Sequence, residues 1–235
     1  STSDDVFEMF ANAFGQTLEP HTSFMSAATS ENFDISMRLS LEGIGAVLRA
    51  DNDLTVVQRT IPGGPAAESG QIHSGDRIVG VGEGNDGAIE DVVGWRLQDV
   101  VDKIRGPKGS VVRLQVLPRA VGTDGATREI KLVRNEIKLE DQAAKTRVFD
   151  DLDNAPGVRI GVIEIAAFYR DFQGESAGRK DFRSTTRDVR RLIADLEKEG
   201  IDGLVIDLRG NGGGSLTEAT ALTGLFIDRG PVVQI

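Results

Sequence analysis

The chain has 235 residues, of which 39% are hydrophobic and 27% charged, a composition typical of a folded globular protein of one or two domains. Its 37 acidic and 27 basic residues give a formal net charge of −10, which argues against nucleic-acid binding because a phosphate backbone requires a basic surface. The absence of cysteine excludes disulfides, thiolate metal sites and a cysteine nucleophile, and without an apolar run of about 18 residues, membrane association is at most peripheral.

The first region, residues 1–36, is predicted to begin as a helix. Apolar side chains recur near the helical period of 3.6 residues at Val6, Phe7, Met9, Phe10 and Phe14. A polar stretch follows from Pro20. The histidines, His21 and His73, are too few and too scattered to indicate a metal site.

The second region, residues 37–136, is predicted to be a small β-rich domain. Short runs rich in β-branched residues, bounded by turn signals, lie at Leu54–Ile61, Asp76–Val81, Val111–Leu117 and Glu129–Val133. One helix is predicted over Val92–Ile104, and it ends before the Gly106-Pro107 pair.

The last region has the pattern of a strand–helix–strand unit. Arg159–Phe168 is a continuous apolar run, residues 184–199 place apolar side chains on one helical face before Gly200, and Leu204–Ile206 forms a second apolar run. This order predicts two parallel strands joined by a helical crossover. The polar segment Asp171–Thr186 is predicted to be an exposed loop.

A glycine-rich turn, Gly210–Gly214, follows the second of these strands and precedes a helix. Ser215 and Glu218 have the spacing of a capping box, in which the serine accepts from an amide and the glutamate reaches back to the serine. Backbone N–H groups converge at such a turn, which leaves three uses open: a phosphate cradle, a plain tight turn, or an oxyanion hole. Ser215 is interpreted as the helix cap and not as a nucleophile.

The segment Asp207–Ala219 resembles the glycine-rich motif of the carboxyl-terminal processing proteases, also called tail-specific proteases, which are serine peptidases with a PDZ domain. The resemblance covers nearly the whole chain and is closest to the long periplasmic branch of Gram-negative bacteria. Further segments carry it in chain order: Glu19–Phe24, Leu41–Val47, Gly63–Ala67, Gly75–Gly82, Gly94–Leu97, Arg105–Gly109 and Leu139–Asp141.

The resemblance implies an α+β fold in three parts. Residues 37–136 would form a PDZ-like β-barrel, and residues 137–235 would form an incomplete α/β protease core that contains the strand–helix–strand unit. The N-terminal helical segment, residues 1–36, would pack on that core.

A PDZ domain binds a free C-terminus by strand addition, and a loop of backbone amides receives the carboxylate. By resemblance this loop is Gly43, Ile44, Gly45 and Ala46, with N–H donors on the last three. The helix residues Leu97, Val101 and Ile104, spaced i, i+4, i+7, would line a pocket for an apolar last side chain. The same spacing also fits a helix face that simply packs in the core, and Trp95 beside it is either a core residue or a reporter of the ligand.

The resemblance also implies a catalytic role for Gly214, whose backbone N–H would donate in an oxyanion hole. The family's nucleophile is a serine in a Ser-Ala-Ser-Glu-like segment after the glycine-rich turn, and its base is a lysine further on. Residues 216–235 of this chain contain neither a serine nor a lysine. We therefore expect this chain to be a portion of the protease that lacks both residues and hydrolyses nothing alone.

The expected parent is a periplasmic serine endopeptidase that needs no metal or cofactor. Its partners would be protein or peptide substrates with free, apolar, unstructured C-termini, together with an adaptor lipoprotein in some members. The periplasmic location follows from the resemblance, since no signal peptide is visible in the sequence. The alternative function is a non-catalytic PDZ module or adaptor that binds protein C-termini.

Overall fold

A computed structural model of the chain describes residues 3–122, 125–150 and 156–233. Its helices are α1 (Ser3–Leu18), α2 (Ala27–Arg38), α3 (Pro65–Glu68), α4 (Leu97–Ile104), α5 (Phe172–Ser176), α6 (Thr185–Glu199) and α7 (Leu216–Thr223). Its strands are β1 (Ser40–Gly43), β2 (Ala46–Asp51), β3 (Leu54–Thr60), β4 (Arg77–Glu83), β5 (Ile89–Asp91), β6 (Val111–Leu117), β7 (Arg128–Val133), β8 (Asn135–Lys138), β9 (Lys145–Phe149), β10 (Ile160–Glu164) and β11 (Gly203–Asp207).

The chain divides into two compact units. The inserted unit is Ser40–Lys138, and the flanking unit consists of the segments before and after it. The mixture of helices and sheets in both confirms the α+β class. The predicted domain limits, residues 37 and 136, lie close to the bounds of the inserted unit.

The main sheet of the inserted unit is open, so the predicted β-barrel is wrong. The strands follow the order β2-β3-β4-β6-β7, with β5 beside β4, and every pair is antiparallel. A barrel requires its edge strands to pair with each other. Here β2 and β7 each have one neighbour among the described strands, while β1 and β8 form a separate two-stranded sheet.

The core of the inserted unit lies on one face of this sheet and against α4. Val57, Ile78, Leu114 and Ile130 are among its fully buried residues, because alternate positions along each strand point to the same face. Val100 and Ile104 bring α4 onto this core.

Helix α4 begins at Leu97, so the predicted start at Val92 is wrong. Gly94 has a positive φ of 78°, a conformation that interrupts a helix, and Val92–Trp95 forms a turn with an N–H···O bond of 3.2 Å. The predicted end at Ile104 is confirmed.

The flanking unit contains the predicted strand–helix–strand arrangement. β10 and β11 are parallel, α6 connects them, and β9 adds an antiparallel edge. Ser184 caps α6 by accepting from the Arg187 N–H, and Gly200 ends the helix at a φ of 78°. Apolar side chains that include Ile163, Leu196 and Leu222 form its core.

Two sequence boundaries in this unit need correction. Strand β10 ends at Glu164, well before Phe168, which instead makes an isolated parallel bridge with Gly214. The predicted loop Asp171–Thr186 contains α5 and the start of α6, because Asp171 caps α5 by accepting from the Gly174 N–H.

The N-terminal segment contains two helices where the sequence predicted only the first. Ser26 caps α2 by accepting from the Thr29 N–H, and α2 contacts α5, where the Gln173 Nε2 donates to Asp34 at 3.0 Å. Helix α1 buries no residue and leaves an apolar face exposed. None of the helices in the described ranges has the length and apolar character needed to cross a membrane.

Candidate functional site

The loop between β1 and β2 is fixed by its carbonyl groups. The Ile44 carbonyl accepts from the Ala66 N–H and the Gly45 carbonyl from the Ile61 N–H, each at 2.8 Å. Gly45 has a φ of 72°, and a Cβ there would lie 3.1 Å from the Gly64 Cα, so only glycine fits without strain. In the described part of the chain, the Ile44 and Gly45 N–H groups make no main-chain hydrogen bond.

An open strand edge continues from this loop. Strand β2 begins at Ala46 and pairs only with β3 among the described strands, while α4 packs beside it. Gly43 ends β1 opposite Asn135. An extended peptide can therefore extend the sheet at β2, with the loop at one end of the added strand.

The predicted pocket residues of α4 do not share one environment. Leu97 and Val101 are half-buried, whereas Ile104 is 4% exposed and belongs to the hydrophobic core. Leu97 and Val101 are therefore partly accessible on the helix, whereas Ile104 packs inside, and their role as a ligand pocket stays a prediction. Trp95 is 39% exposed with the Lys103 Nζ 5.7 Å from its ring centroid, which makes it a surface residue near this edge.

The glycine-rich turn Gly210–Gly214 is fastened by groups far away in sequence. The Phe168 N–H donates to the Gly213 carbonyl, and the Phe168 carbonyl accepts from the Ser215 N–H, both at 2.8 Å. The Asn211 side chain donates to the Ile165 carbonyl at 2.9 Å and accepts from the Gly213 N–H at 2.8 Å. These bonds determine the course of the turn.

Gly214 is held in a conformation that excludes a side chain. Its φ is 131°, and a Cβ would lie 2.4 Å from the Phe168 carbonyl oxygen. The residue is nevertheless exposed, and its N–H has no main-chain acceptor among the described residues. An accessible, fixed and unpaired N–H group is the kind of donor that stabilises an oxyanion.

Glu218 does not complete the predicted capping box. The Ser215 Oγ accepts from the Glu218 N–H at 3.3 Å as expected, but the Ser215 N–H bonds to Phe168 and the Glu218 carboxylate points elsewhere. That carboxylate is fully buried and accepts from the Ser184 Oγ (2.9 Å), the Thr186 N–H (2.8 Å), the Thr186 Oγ1 (2.6 Å) and the Arg170 Nη1 (2.5 Å).

The buried carboxylate of Glu218 thus joins three segments. It lies at the positive N-terminal end of α6, next to the cation of Arg170, and in the first turn of α7 directly after Gly214. Arg170 also forms an ion pair with Glu175. This contact raises the pKa of the Arg170 guanidinium above its ordinary value. The sequence showed the Ser–Glu spacing but gave no sign of these distant donors.

A second buried polar contact supports the same segment. The Tyr169 hydroxyl donates to Asp188 at 2.7 Å and accepts from the Ala144 N–H at 3.2 Å, and burial raises the pKa of Tyr169. At the start of the turn, hydrogen bonds from the Arg209 guanidinium hold the pKa of Asp207 at about 2. Nothing in the part of the chain that the structure describes groups three or more potential metal-ligating side chains.

Comparison with known proteins gives matches over both units. The model of Peptidase family S41 matches residues 159–235, and a PDZ domain model matches residues 33–117. A tail-specific protease of Haemophilus influenzae is 44% identical over 233 residues, covering 99% of this chain and 30% of that protein. The carboxy-terminal processing protease CtpA of Bacillus subtilis is 29% identical over 212 residues, covering 90% of this chain and 38% of that protein.

A solved structure also matches the inserted unit. It is the PDZ domain of a carboxy-terminal protease from Vibrio cholerae in complex with a peptide. Its sequence is 52% identical to the matched part of this chain. The match covers 43% of this chain and 100% of that structure, with a TM-score of 0.41. The chain spans about a third of the length of the first two curated relatives, which it covers to 30% and 38%.

Proposed function

Because this chain belongs to the family of carboxyl-terminal processing, or tail-specific, proteases, which combine a PDZ domain with a Peptidase family S41 region, we propose that it supplies the substrate-binding groove and one oxyanion donor of a serine endopeptidase. The proposal is supported by two features that occur in one chain. The first is the open edge of β2 beside unpaired N–H groups, and the second is the exposed, unpaired N–H group of Gly214.

In the groove, a substrate would pair with β2 as an added strand. Its terminal carboxylate would accept from the N–H groups at Ile44, Gly45 and Ala46, and its last side chain would contact Leu97 and Val101. These two side chains are apolar, so the proposed substrates end in an apolar residue. An unstructured tail suits strand addition because its backbone groups are free to pair.

In the catalytic region, the proposed reaction is acyl transfer. A serine attacks the scissile carbonyl, a neutral lysine accepts the serine proton, and the Gly214 N–H stabilises the negative charge on the carbonyl oxygen. We propose that the serine and the lysine lie outside these 235 residues. The chain alone is then expected to hydrolyse no peptide. Peptide hydrolysis by the isolated chain that is lost in the variant Gly214→Pro would contradict this.

We also propose a periplasmic location and an adaptor lipoprotein as a partner. Both rest on the resemblance to the long Gram-negative branch and on the 44% identity to the Haemophilus influenzae relative. Fractionation of the native host cell, with detection of the protein in the periplasmic fraction, tests the location.

Peptide binding tests the groove. An apolar-tailed peptide is titrated as the free acid and as the amide, with Trp95 fluorescence or calorimetry as the readout. The free acid should bind about tenfold tighter or more, equivalent to about 1.4 kcal/mol, because only it carries the terminal charge. Equal binding of the two forms would overturn the proposed carboxylate loop.

A pair of variants locates the binding site. Val101→Asp places a charge beside the proposed apolar pocket and should weaken binding of the free acid about tenfold. Val133→Asp is the matched control, since Val133 is exposed on β7 at the other edge of the sheet. If both variants bind as the parent does, the groove is not the binding site.

A further inference from the structure

A cavity of about 410 Å³ lies on the sheet of the inserted unit, and arginines from three segments line it. Arg49 comes from β2, Arg77 from β4, and Arg119 from the segment after β6. Arg49 pairs with Val56 and Val56 with Arg77 in the sheet register, so these three residues form one row across the strands.

This row faces away from the hydrophobic core. The next residue along β3, Val57, belongs to the core, and neighbouring residues of a strand point to opposite faces. Val56 is nevertheless only 5% exposed, which gives the cavity an apolar wall. The cavity is therefore a separate feature from the edge of β2 proposed for peptide binding, and it does not depend on that proposal.

The cavity carries an excess of positive charge. Arg49 is paired with Asp51 at 3.0 Å, and the Asp51 carboxylate is the one acidic group that lines the cavity. Arg77 and Arg119 have no carboxylate partner among the described residues. Nearby Asp76 is buried, and it is already used by Arg128 and by the His73 and Arg119 N–H groups.

The arrangement holds the Arg77 guanidinium in place without neutralising it, and the stem of Arg119 lies close by. The Arg77 Nη2 donates to the Pro118 and Val121 carbonyls, which fixes the guanidinium plane. The stem of Arg119 lies against Gly75, where a Cβ would come within 2.6 Å of the Arg119 Cδ. Two guanidinium groups that lack an anion, of which that of Arg77 is oriented by hydrogen bonds, are thus brought to one cavity in a chain with a net charge of −10.

Arg77 also has an unsatisfied donor. Its Nε is buried and has no hydrogen-bond partner, alone among the buried side-chain N and O atoms of the described residues. Native proteins rarely leave a buried N–H of a charged group without an acceptor, and an unexplained case points to a missing acceptor. An oxyanion would supply the missing acceptor for Nε, while Nη2 stays with the Pro118 and Val121 carbonyls.

We propose that this cavity binds a phosphate group, held by Arg77 and Arg119 and bordered by the Arg49–Asp51 pair. A phosphate or phosphate ester fits because it presents several acceptor oxygens and at least one full negative charge. The same chemistry occurs in a free phosphate and in the headgroup of an anionic phospholipid, and the experiment separates the two.

The first measurement is an NMR titration of the ¹⁵N-labelled chain with sodium phosphate at constant ionic strength. Binding should move the Arg77 Nε–H resonance downfield and shift the amide signals of Ser74 and Gly75, which line the cavity. Sodium chloride at the same ionic strength should not. If phosphate does not bind, vesicles of phosphatidylglycerol are compared with vesicles of phosphatidylcholine by co-sedimentation.

Variants decide whether the cavity is the site. Arg119→Gln should weaken binding about tenfold, because it removes a charge-assisted donor while the exposed side chain leaves the fold unchanged. Arg77→Gln is the second variant, with its unfolding midpoint measured because Arg77 also binds two carbonyls. Lys131→Gln loses the same charge on β7 outside the cavity and should change affinity by less than about twofold.

The phosphate and vesicle experiments have three outcomes, and each supports or overturns the proposed site. Binding of free phosphate that Arg119→Gln weakens supports the site with a soluble ligand. Binding to phosphatidylglycerol vesicles alone, with the same dependence on Arg119, supports it with a lipid headgroup as the source. Binding of neither, or binding that Arg119→Gln and Lys131→Gln weaken equally, overturns the proposal.

Discussion

Two loops of this chain offer unpaired backbone N–H groups, and they are held in place by different forces. The loop at Ile44 and Gly45 makes two hydrogen bonds through its own carbonyls and is otherwise surrounded by apolar groups, with Ile44 in the core and Ile137 against Gly45. The turn at Gly210–Gly214 is fastened by polar groups, namely the Asn211 side chain, the Phe168 main chain and, through α7, the buried Glu218 carboxylate.

The difference indicates how each loop responds to change. A loop bonded only through its main chain and packed against apolar groups depends on volume, so it should be sensitive to added atoms and insensitive to charge. A turn held by buried hydrogen bonds depends on the presence of each partner, so loss of one group leaves several others unpaired. Four predictions test this contrast, from the largest expected effect to the smallest.

Replacing Glu218 should be the most damaging change. Glu218→Ala removes the buried acceptor that Ser184 and Thr186 share and one of the two carboxylates that bind Arg170, so the free energy of unfolding of the flanking unit should fall by about 3–5 kcal/mol. Urea denaturation followed by circular dichroism measures it. Glu175→Ala is the control, because Glu175 also binds Arg170 but is exposed, and its effect should be small. Equal effects of the two would show that burial of Glu218 is unimportant.

A side chain at Gly214 should distort the turn. Gly214→Ala forces a residue with a Cβ into a φ of 131° and against the Phe168 carbonyl, which should cost roughly 1–3 kcal/mol of unfolding free energy. In the complete protease, kcat should fall about 100-fold if this N–H stabilises the oxyanion. Gly212→Ala is the matched control, since open space surrounds Gly212 and its φ is not positive. Full activity of Gly214→Ala would remove Gly214 from the proposed oxyanion hole.

The sequence predicted the local features of this region well. Strand, helix and strand periodicity, the Ser184 and Gly200 ends of α6 and the Ser215 cap all depend on residues close together in sequence. The direction of the Glu218 carboxylate depends on Arg170 and on the start of α6, more than thirty residues away. Spacing along the chain favours the nearby serine as its partner and contains no information about distant donors.

The inserted unit shows the same limit. Runs of β-branched residues bounded by turn signals predict its strands, but whether the edges of a sheet meet depends on strand order and tilt, which such runs do not encode. Ile104 fits both the core and a ligand pocket by spacing, and only its burial assigns it to the core. The arginines of the cavity lie far apart in the sequence and come together through the register of β2, β3 and β4.

A side chain at Gly45 should act through volume. Gly45→Ala meets the Gly64 Cα at 3.1 Å and the Ile137 Cδ1 at 3.2 Å with a φ of 72°, so unfolding free energy should fall by roughly 1–2 kcal/mol. The free-acid peptide should lose affinity while the amide changes little, as calorimetry would show. Restoring space with Ile137→Val in the same chain should recover part of the stability. No recovery would mean that backbone strain, and not packing, determines the cost.

The smallest effect is expected from lowering the pH, which should change the glycine-rich turn more than the loop between β1 and β2. Hydrogen bonds from Arg209 hold the pKa of Asp207 at about 2, below its ordinary 3.8, so the contribution of this pair is complete above 3.8 and is lost as the pH falls toward 2. Asp207 also accepts from the Arg209 N–H at 2.9 Å, and its protonation should therefore shift the amide signals of Gly210–Gly214. The loop between Gly43 and Ala46 contains no titratable side chain of its own, so its amide signals away from the neighbouring Glu42 should shift less over the same range. Arg209→Gln should return the pKa of Asp207 toward 3.8, measured from its carboxyl carbon by NMR, and a value that stays near 2 would assign the shift to another group.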